Sequence, residues 1–307
     1  MQATSTFRQI AELWKSNRRK VVKHSTYCAY SLVIKTHLLP TFGDCVTITE
    51  AKVQEFVFAK IESGLSVKTV HDIVAVLKSV GKYGVKHSLW SLPPWDIEYP
   101  TSVRSRPLPV LSLHDHKKLL GIIATEPTTQ NIGVMIALCC GLRIGEVCAL
   151  RWENVDMRNR KMTVALTTGR IYNCELQATE QYTGTPKTCT SNRDVPISPI
   201  LYKALREIKR QQKGGIYVVG DGHKAKEPRT YRETFARLLK RHGIPQLVFH
   251  GLRHTFATRC IESGCDYKTV SEILGHSNVA TTLNLYVHPN IDQKKRCIER
   301  MNRFLRI

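Results

Sequence analysis

His250 and Arg253, in the stretch His250-Gly251-Leu252-Arg253-His254, stand three residues apart, so a helix would turn both toward a single anion. His276 follows an apolar run, Val270 to Leu274, and a glycine of the kind that ends a helix. Tyr286 lies ten residues further on, in a second short helical pattern built from Val279 and Leu283. A basic pair, another histidine and a tyrosine within forty residues fit phosphodiester chemistry that needs no metal. Two more cations stand upstream. Arg143 follows closely on an apolar segment, where an unpaired charge would be costly, so it requires an acid or an anionic ligand. Glu146, three residues along, is a sufficient structural partner for it. Lys187 sits in or beside a turn, where a lysine taken singly is most often solvated. Taken singly, too, Tyr286 reads as a half-buried aromatic and His276 as a helix-terminus histidine.

The elements that must position these residues are mostly helical. Phe7, Ile10, Ala11 and Trp14 give a first 3.6-period face, followed by Arg18-Arg19-Lys20. Ser25 or Thr26 is placed to cap a second helix that stops near Pro40. Thr49 opens a third, closed by Gly64, and Ser66 caps the longest, with Val70, Ile73, Val74, Leu77 and Val80 on one face. Prolines 93, 94, 100, 107 and 109 then mark a stiff connector. These limits predict a helical domain over 1–90, a linker over 91–110 and a second domain over 111–307. In the second domain Leu113 to Ile123 is amphipathic, and Asn131 to Cys140 is nearly all apolar and should be a buried helix ending at Gly141. Met162 to Thr167 reads as a strand, and Arg193 to Ile197 as its partner in a small antiparallel sheet with Lys187 near a hairpin turn. The polar stretch between Thr168 and Thr183 receives no assignment. Helices resume over 199–209 and 230–241, and an amphipathic one, with Cys297, Ile298, Met301 and Leu305 on one side, closes the chain over 291–305.

Charge narrows the partner. The 307 residues carry 46 Lys+Arg against 25 Asp+Glu, a formal net charge of +21, which points to a polyanion, nucleic acid first. The excess lies in both halves: residues 1–106 hold 15 basic and 8 acidic side chains, the remainder 31 and 17. That distribution suits a protein that surrounds DNA better than one with a single basic tail. No apolar run is long enough to span a membrane, and the N-terminal residues lack the core of a signal peptide. The ten cysteines are scattered without a Cys-x-x-Cys pair, which fits reduced thiols in a cytoplasm and no metal centre.

Taken together, Arg143 in Cys-Gly-Leu-Arg-Ile-Gly-Glu, Lys187 in Thr-Pro-Lys-Thr, His250-x-x-Arg253, Leu-Gly-His276 and Tyr286 resemble the tyrosine recombinase (phage integrase) family in order, spacing and local sequence. The likeness covers roughly residues 108–305, and the helical first half is similar to the family's core-binding domain. The words around Val270–Ser277 and Thr282–His288 resemble integrases of phages and conjugative transposons. The resemblance implies a mainly α fold with a small antiparallel sheet: a SAM-like core-binding domain, then a catalytic domain whose last helix is exchanged between subunits. Helix one begins about six residues from Met1, so no separate arm-binding domain is expected before it.

The resemblance also implies the chemistry. Arg143 and Arg253 would clamp the non-bridging oxygens of a scissile phosphodiester, which a planar guanidinium fork suits. His276 would donate to the same oxygens, and His250 would hold the nucleophile or shuttle its proton. Tyr286 would attack, giving a 3′-phosphotyrosyl link and a free 5′-hydroxyl, and Lys187 would protonate that leaving oxygen. Because the link conserves the bond, neither metal, ATP nor other cofactor is required. The implied partners are double-stranded recombination sites, four copies of the chain on paired duplexes, and a directionality factor for a mobile element. Arg193 is expected to neutralise phosphate or to support the hairpin, and His254 and His288 to serve packing or the surface. The alternatives are a type IB topoisomerase, which would not need a trailing exchange helix, and a DNA-binding accessory factor, which would not need the tyrosine. A metal-dependent nuclease ranks below both for want of clustered carboxylates.

Overall fold

The computed structural model describes residues 5–90, 95–101, 109–173, 176–185, 192–286 and 291–305, with backbone alone for 284–286, 292–294 and 296–297. It is mainly α-helical with small antiparallel sheets. Two compact units are present: residues 1–106 with 170–182, and residues 107–169 with 183–307. No helix among the described residues is long and apolar enough to cross a membrane.

The first unit begins with α1 (Phe7–Val21), opened by a reciprocal cap in which the Thr6 hydroxyl accepts from Gln9 N and the Gln9 side chain accepts from Thr6 N. Phe7, Ile10, Ala11 and Trp14 are its buried stripe. Next comes α2 (His24–Val33), which starts after Lys23 with no side-chain cap, so neither Ser25 nor Thr26 plays the part expected of it. The helical stretch does end near Pro40, two residues beyond it. It widens into a π turn over Ile34–Leu38 and resumes as α3 (Leu39–Phe42), with Pro40 in the first turn, where a missing N–H is tolerated. Thr49 and Ser66 cap α4 (Glu50–Glu62) and α5 (Val67–Lys86) as their sequences predict. The core joins Phe7, Phe42 and Phe56 to the buried face of α5. Part of the proline-rich segment belongs to this unit as well. Trp95 and Ile97 are buried in its core, and the Gln54 side chain exchanges hydrogen bonds with the Glu98 backbone at 2.9 and 3.0 Å.

In the second unit, α6 (Leu113–Thr125) is capped by Ser112 and packs on α7 (Ile132–Cys140). Every described face of α7 but Cys139 is buried, as an all-apolar helix requires, and it ends on Gly141 at φ +66°. There follow α8 (Ile144–Ala149), the short strands β1 (Val155–Asp156) and β2 (Lys161–Val164), then β3 (Thr167–Asn173), β4 (Ala178–Gly184) and β5 (Arg193–Pro196). The three-stranded sheet has the antiparallel order β1-β2-β5, with Val164 opposite Arg193 and Met162 opposite Val195. The strand expected over 162–167 is therefore broken after Val164. The polar stretch without an assignment is a separate two-stranded ribbon, β3 with β4. Its outer residues, 170–182, pack with the first unit: His24 Nε2 lies 3.8 Å from Glu180 Oε1, and the Lys35 ammonium 5.9 Å from the Tyr172 ring centre. Helices α9 (Pro199–Gln211), α10 (Pro228–Arg241), α11 (His250–Glu262), α12 (Tyr267–Leu274), α13 (Val279–Tyr286) and α14 (Ile291–Leu305) complete the chain. One hydrophobic core, from Leu111 to Leu252, holds α6 to α11 and the sheet together.

Candidate active site

The site is assembled at one helix end. Asp266 opens α12 by accepting from Lys268 N and Thr269 N, and Gly275 closes it in the left-handed region at φ +65°. The last carbonyls of a helix point outward without intrahelical donors and carry the negative end of its dipole. Here they receive arginines. Arg253, on α11 and only 1% exposed, donates from Nη2 to Leu274 O at 2.6 Å and from Nη1 to Gly141 O at 2.8 Å. It thus joins the left-handed ends of α7 and α12. Arg143 donates to Leu274 O at 3.5 Å and to Gly275 O at 3.4 Å. Arg193, on β5, donates through Nε to Ile273 O at 2.5 Å.

Glu146 supplies the counter-charge. It is 3% exposed, reaches back to the Arg143 backbone N–H at 2.9 Å, and accepts from Arg143 Nη1 at 2.9 Å and from Arg193 Nη2 at 3.1 Å. Burial pushes its carboxyl upward in pKa, but the hydrogen bond and charge of Arg193, then Arg143, outweigh burial and leave it below the usual carboxylate value. The partner foreseen for Arg143 is thus present, and shared. Two guanidiniums on one carboxylate leave an excess of positive charge, and the Arg143 side chain remains 37% exposed.

The histidines stand beside this charge. His276, just past the α12 terminus, places Nδ1 2.8 Å from Thr282 Oγ1. Burial, then Arg253, Arg143, Arg193 and His250, lowers its pKa to about 4, so it is neutral at ordinary pH. His250, the first residue of α11, is shifted down by desolvation and by Arg253 and Arg143, with Glu146 acting the other way. His254, one turn further on, is buried and meets the His250 ring edge to face at 4.4 Å, its pKa lowered to about 4 by burial, His250 and Arg253.

Four of the six residues singled out from the sequence, Arg143, His250, Arg253 and His276, are therefore brought together around residues 274–276. Tyr286 is the last residue of α13, described as backbone. Lys187 and His288 lie outside the described residues. Thr282, fully buried against His276, was missed, and no sequence signal marks it. Of the two roles expected for Arg193, neutralising phosphate or supporting the hairpin, its geometry is nearer the second: the side chain is 7% exposed and pairs with Glu146.

Residues 109–293 match the phage integrase family, and residues 6–60 match the phage integrase N-terminal SAM-like domain. The chain belongs to the phage integrase family of tyrosine recombinases. It is 32% identical over 186 residues to a tyrosine recombinase XerC-like protein of Caldanaerobacter subterraneus subsp. tengcongensis, covering 55% of this chain and 48% of that protein. It is 27% identical over 282 residues to the transposase from transposon Tn916 of Enterococcus faecalis, covering 85% of this chain and 67% of the relative. The chain thus spans between about half and two thirds of these relatives' length. In fold it is similar to the Tn1549 transposon integrase in complex with transposon right end DNA, with a TM-score of 0.79, 24% identity, and coverage of 97% of this chain and 99% of that one.

Proposed function

We propose that this chain is a site-specific DNA recombinase of a mobile element of the conjugative-transposon type, integrating and excising it through a covalent protein–DNA intermediate. The observation that carries the reading is the convergence of Arg143, Arg253, His250 and His276 on one helix terminus. Main-chain carbonyls hold the arginines without cancelling their charge, so an anion entering beside them is attracted and oriented.

In this reading the scissile phosphodiester sits against Arg143 and Arg253. The Tyr286 phenol loses its proton toward His250, a neutral imidazole fit to accept it, and Tyr286 Oη bonds to phosphorus as the bond from phosphorus to the 5′ oxygen breaks. His276 donates to a non-bridging oxygen, and Lys187 gives a proton to the departing 5′ oxygen. Attack by the 5′-hydroxyl of another strand reverses the step, releases Tyr286 and joins the strands with no net change in bonds.

Strand exchange between two duplexes calls for four protomers. Helix α14 suits a linking role, because Ile298, Met301, Phe304 and Leu305 leave an apolar face exposed, Phe304 by 87%. An apolar face of this kind on a helix is stable when covered by a partner. This favours a recombinase over a topoisomerase acting as a monomer.

The test is covalent trapping. Wild-type protein and its Tyr286→Phe variant are mixed, with EDTA present, with nicked duplexes tiled across the DNA flanking the gene, then separated on a denaturing gel. A slow band given by the wild type and lost in the variant, with DNA binding retained in both, supports the reading. A band that persists in Tyr286→Phe sinks the assignment of the nucleophile.

A further inference from the structure

Arg193 opens β5, and its nearly buried side chain joins three other pieces of the site. Its Nη1 and Nη2 lie 3.3 and 3.1 Å from Glu146 Oε1 and Oε2, a two-pronged pairing with the acid that holds Arg143. Its Nε ties down Ile273 O, two residues before the turn that leads to His276. The arginine also lies flat against Gly275, where an added Cβ would stand 3.1 Å from both its Cδ and Nη1. Like Arg143 itself, it is bonded at once to Glu146 and to the segment that carries His276.

The electrostatics give this arrangement a purpose. A carboxylate as buried as Glu146 must be compensated. Were Arg143 its sole partner, the two would form a neutral pair, and the field of Arg143 where a phosphate binds would be largely cancelled. A second guanidinium behind the acid meets most of that demand, and the triad of Arg143, Glu146 and Arg193 keeps a net positive charge whose exposed end is Arg143.

We propose that Arg193 is a positioning residue for strand cleavage: it satisfies Glu146 from behind, frees the charge of Arg143 for the phosphate, and fixes the 273–276 turn that carries His276. The inference rests on the reading of the site as a phosphodiester-cleaving centre. It makes Arg193 a residue that never touches DNA, which sets aside the phosphate contact that was one of the two roles expected from its sequence context.

Four proteins test it: wild type, Arg193→Lys, Arg193→Met, and Arg193→Met combined with Glu146→Gln. Single-turnover formation of the covalent complex is measured on the nicked flanking duplex that traps the wild type. Affinity for the same duplex is measured as a function of salt, and thermal unfolding is followed without DNA. Arg193→Met should slow covalent-complex formation by about 100-fold, the scale of a displaced catalytic group, while the slope of log affinity against log salt stays unchanged. Arg193→Lys keeps the charge but not the fork, and should fall between the two. Adding Glu146→Gln removes the uncompensated acid, and should recover about 10-fold of the lost rate and raise the melting temperature above that of Arg193→Met. A salt slope reduced by about one in Arg193→Met would mark a direct phosphate contact and overturn the proposal. So would a double variant no faster and no more stable than Arg193→Met, since a scaffold role is not relieved by removing a charge. If the wild type forms no covalent complex on any duplex while the double variant still melts higher, the functional reading fails and Arg193 is left a structural partner of Glu146 only.

Discussion

Arg143 and Arg253, separated by more than a hundred residues of chain, donate to the same oxygen, Leu274 O, at 3.5 and 2.6 Å. One is partly exposed and bonded to Glu146; the other is buried and bonded otherwise to Gly141 O. A shared main-chain acceptor sets two cations side by side without neutralising either. Two like charges held this way repel each other less than their positions would demand in the open, because a helix terminus supplies partial negative charge between them.

Arg253→Lys should expose how much of this depends on shape. A single ammonium cannot reach carbonyls at the ends of two different helices with the geometry of a planar fork. At least one buried carbonyl would lose its partner, destabilising the fold by about 1–3 kcal/mol. Covalent-complex formation should drop by about 100-fold or more while duplex affinity changes little. Equal losses of affinity and rate would mean that Arg253 contributes only to binding.

Gly275→Ala places a Cβ where φ is +65° and where Arg193 is already in tight contact. The left-handed conformation alone disfavours alanine by about 1–2 kcal/mol. Calorimetry should show a lower melting temperature, and the cleavage rate should fall further than stability accounts for, since the turn orients Arg143 and His276 alike. An alanine variant with wild-type cleavage would show that the turn tolerates displacement.

Lys187 is assigned to the leaving oxygen by resemblance, and chemistry can test that without coordinates. Lys187→Ala should cleave an ordinary duplex slowly, yet recover most of the loss on a substrate whose 5′-bridging oxygen is replaced by sulfur, which departs without a proton. If the sulfur substrate is cleaved no faster than the ordinary one by Lys187→Ala, the acid lies elsewhere.

For His254 and His276 the folded pKa of about 4 lies below the ordinary histidine value of 6.5. Between those limits the unfolded chain binds more protons than the folded one, so stability should fall as pH drops from about 6.5 toward 4. Denaturant unfolding across that window would measure it, and His254→Asn should flatten the slope. In the free protein, the His276 ring resonances should titrate near pH 4. Duplex binding should move that midpoint upward, because a phosphate offsets the arginines that depress it. A midpoint unmoved by DNA would place the phosphate away from His276.

The helical framework was legible in the sequence because its signals are local. Thr49, Ser66 and the alternation of apolar residues every three or four positions each report on one turn of chain, and the structure keeps them. Pro40 marked the end of its helical stretch to within two residues, but the π turn before it resets the hydrogen-bond ladder, and nothing in the adjacent residues announces that. The β3–β4 ribbon carries too few alternating apolar residues to read as strands, so its order comes from neighbours distant in sequence. Within the site, Glu146 was visible because it lies three residues from Arg143. The pairing of Arg193 with that acid was not, because its place is fixed by the packing of β5 against α12, eighty residues away.

The acceptors that gather the arginines belong to the main chain of residues 273–275, not to side chains. Mutation can replace an acid in one step but cannot remove a carbonyl. The side chains at positions 273 and 274 are thus not constrained by the cations that their carbonyls hold, whereas Gly275 is pinned by its backbone. Drift at the exposed positions of α12, 267 to 269 and 272, would change the outward surface of the protein, and with it the company it keeps, while the carbonyl cradle beneath passes unaltered from one descendant to the next.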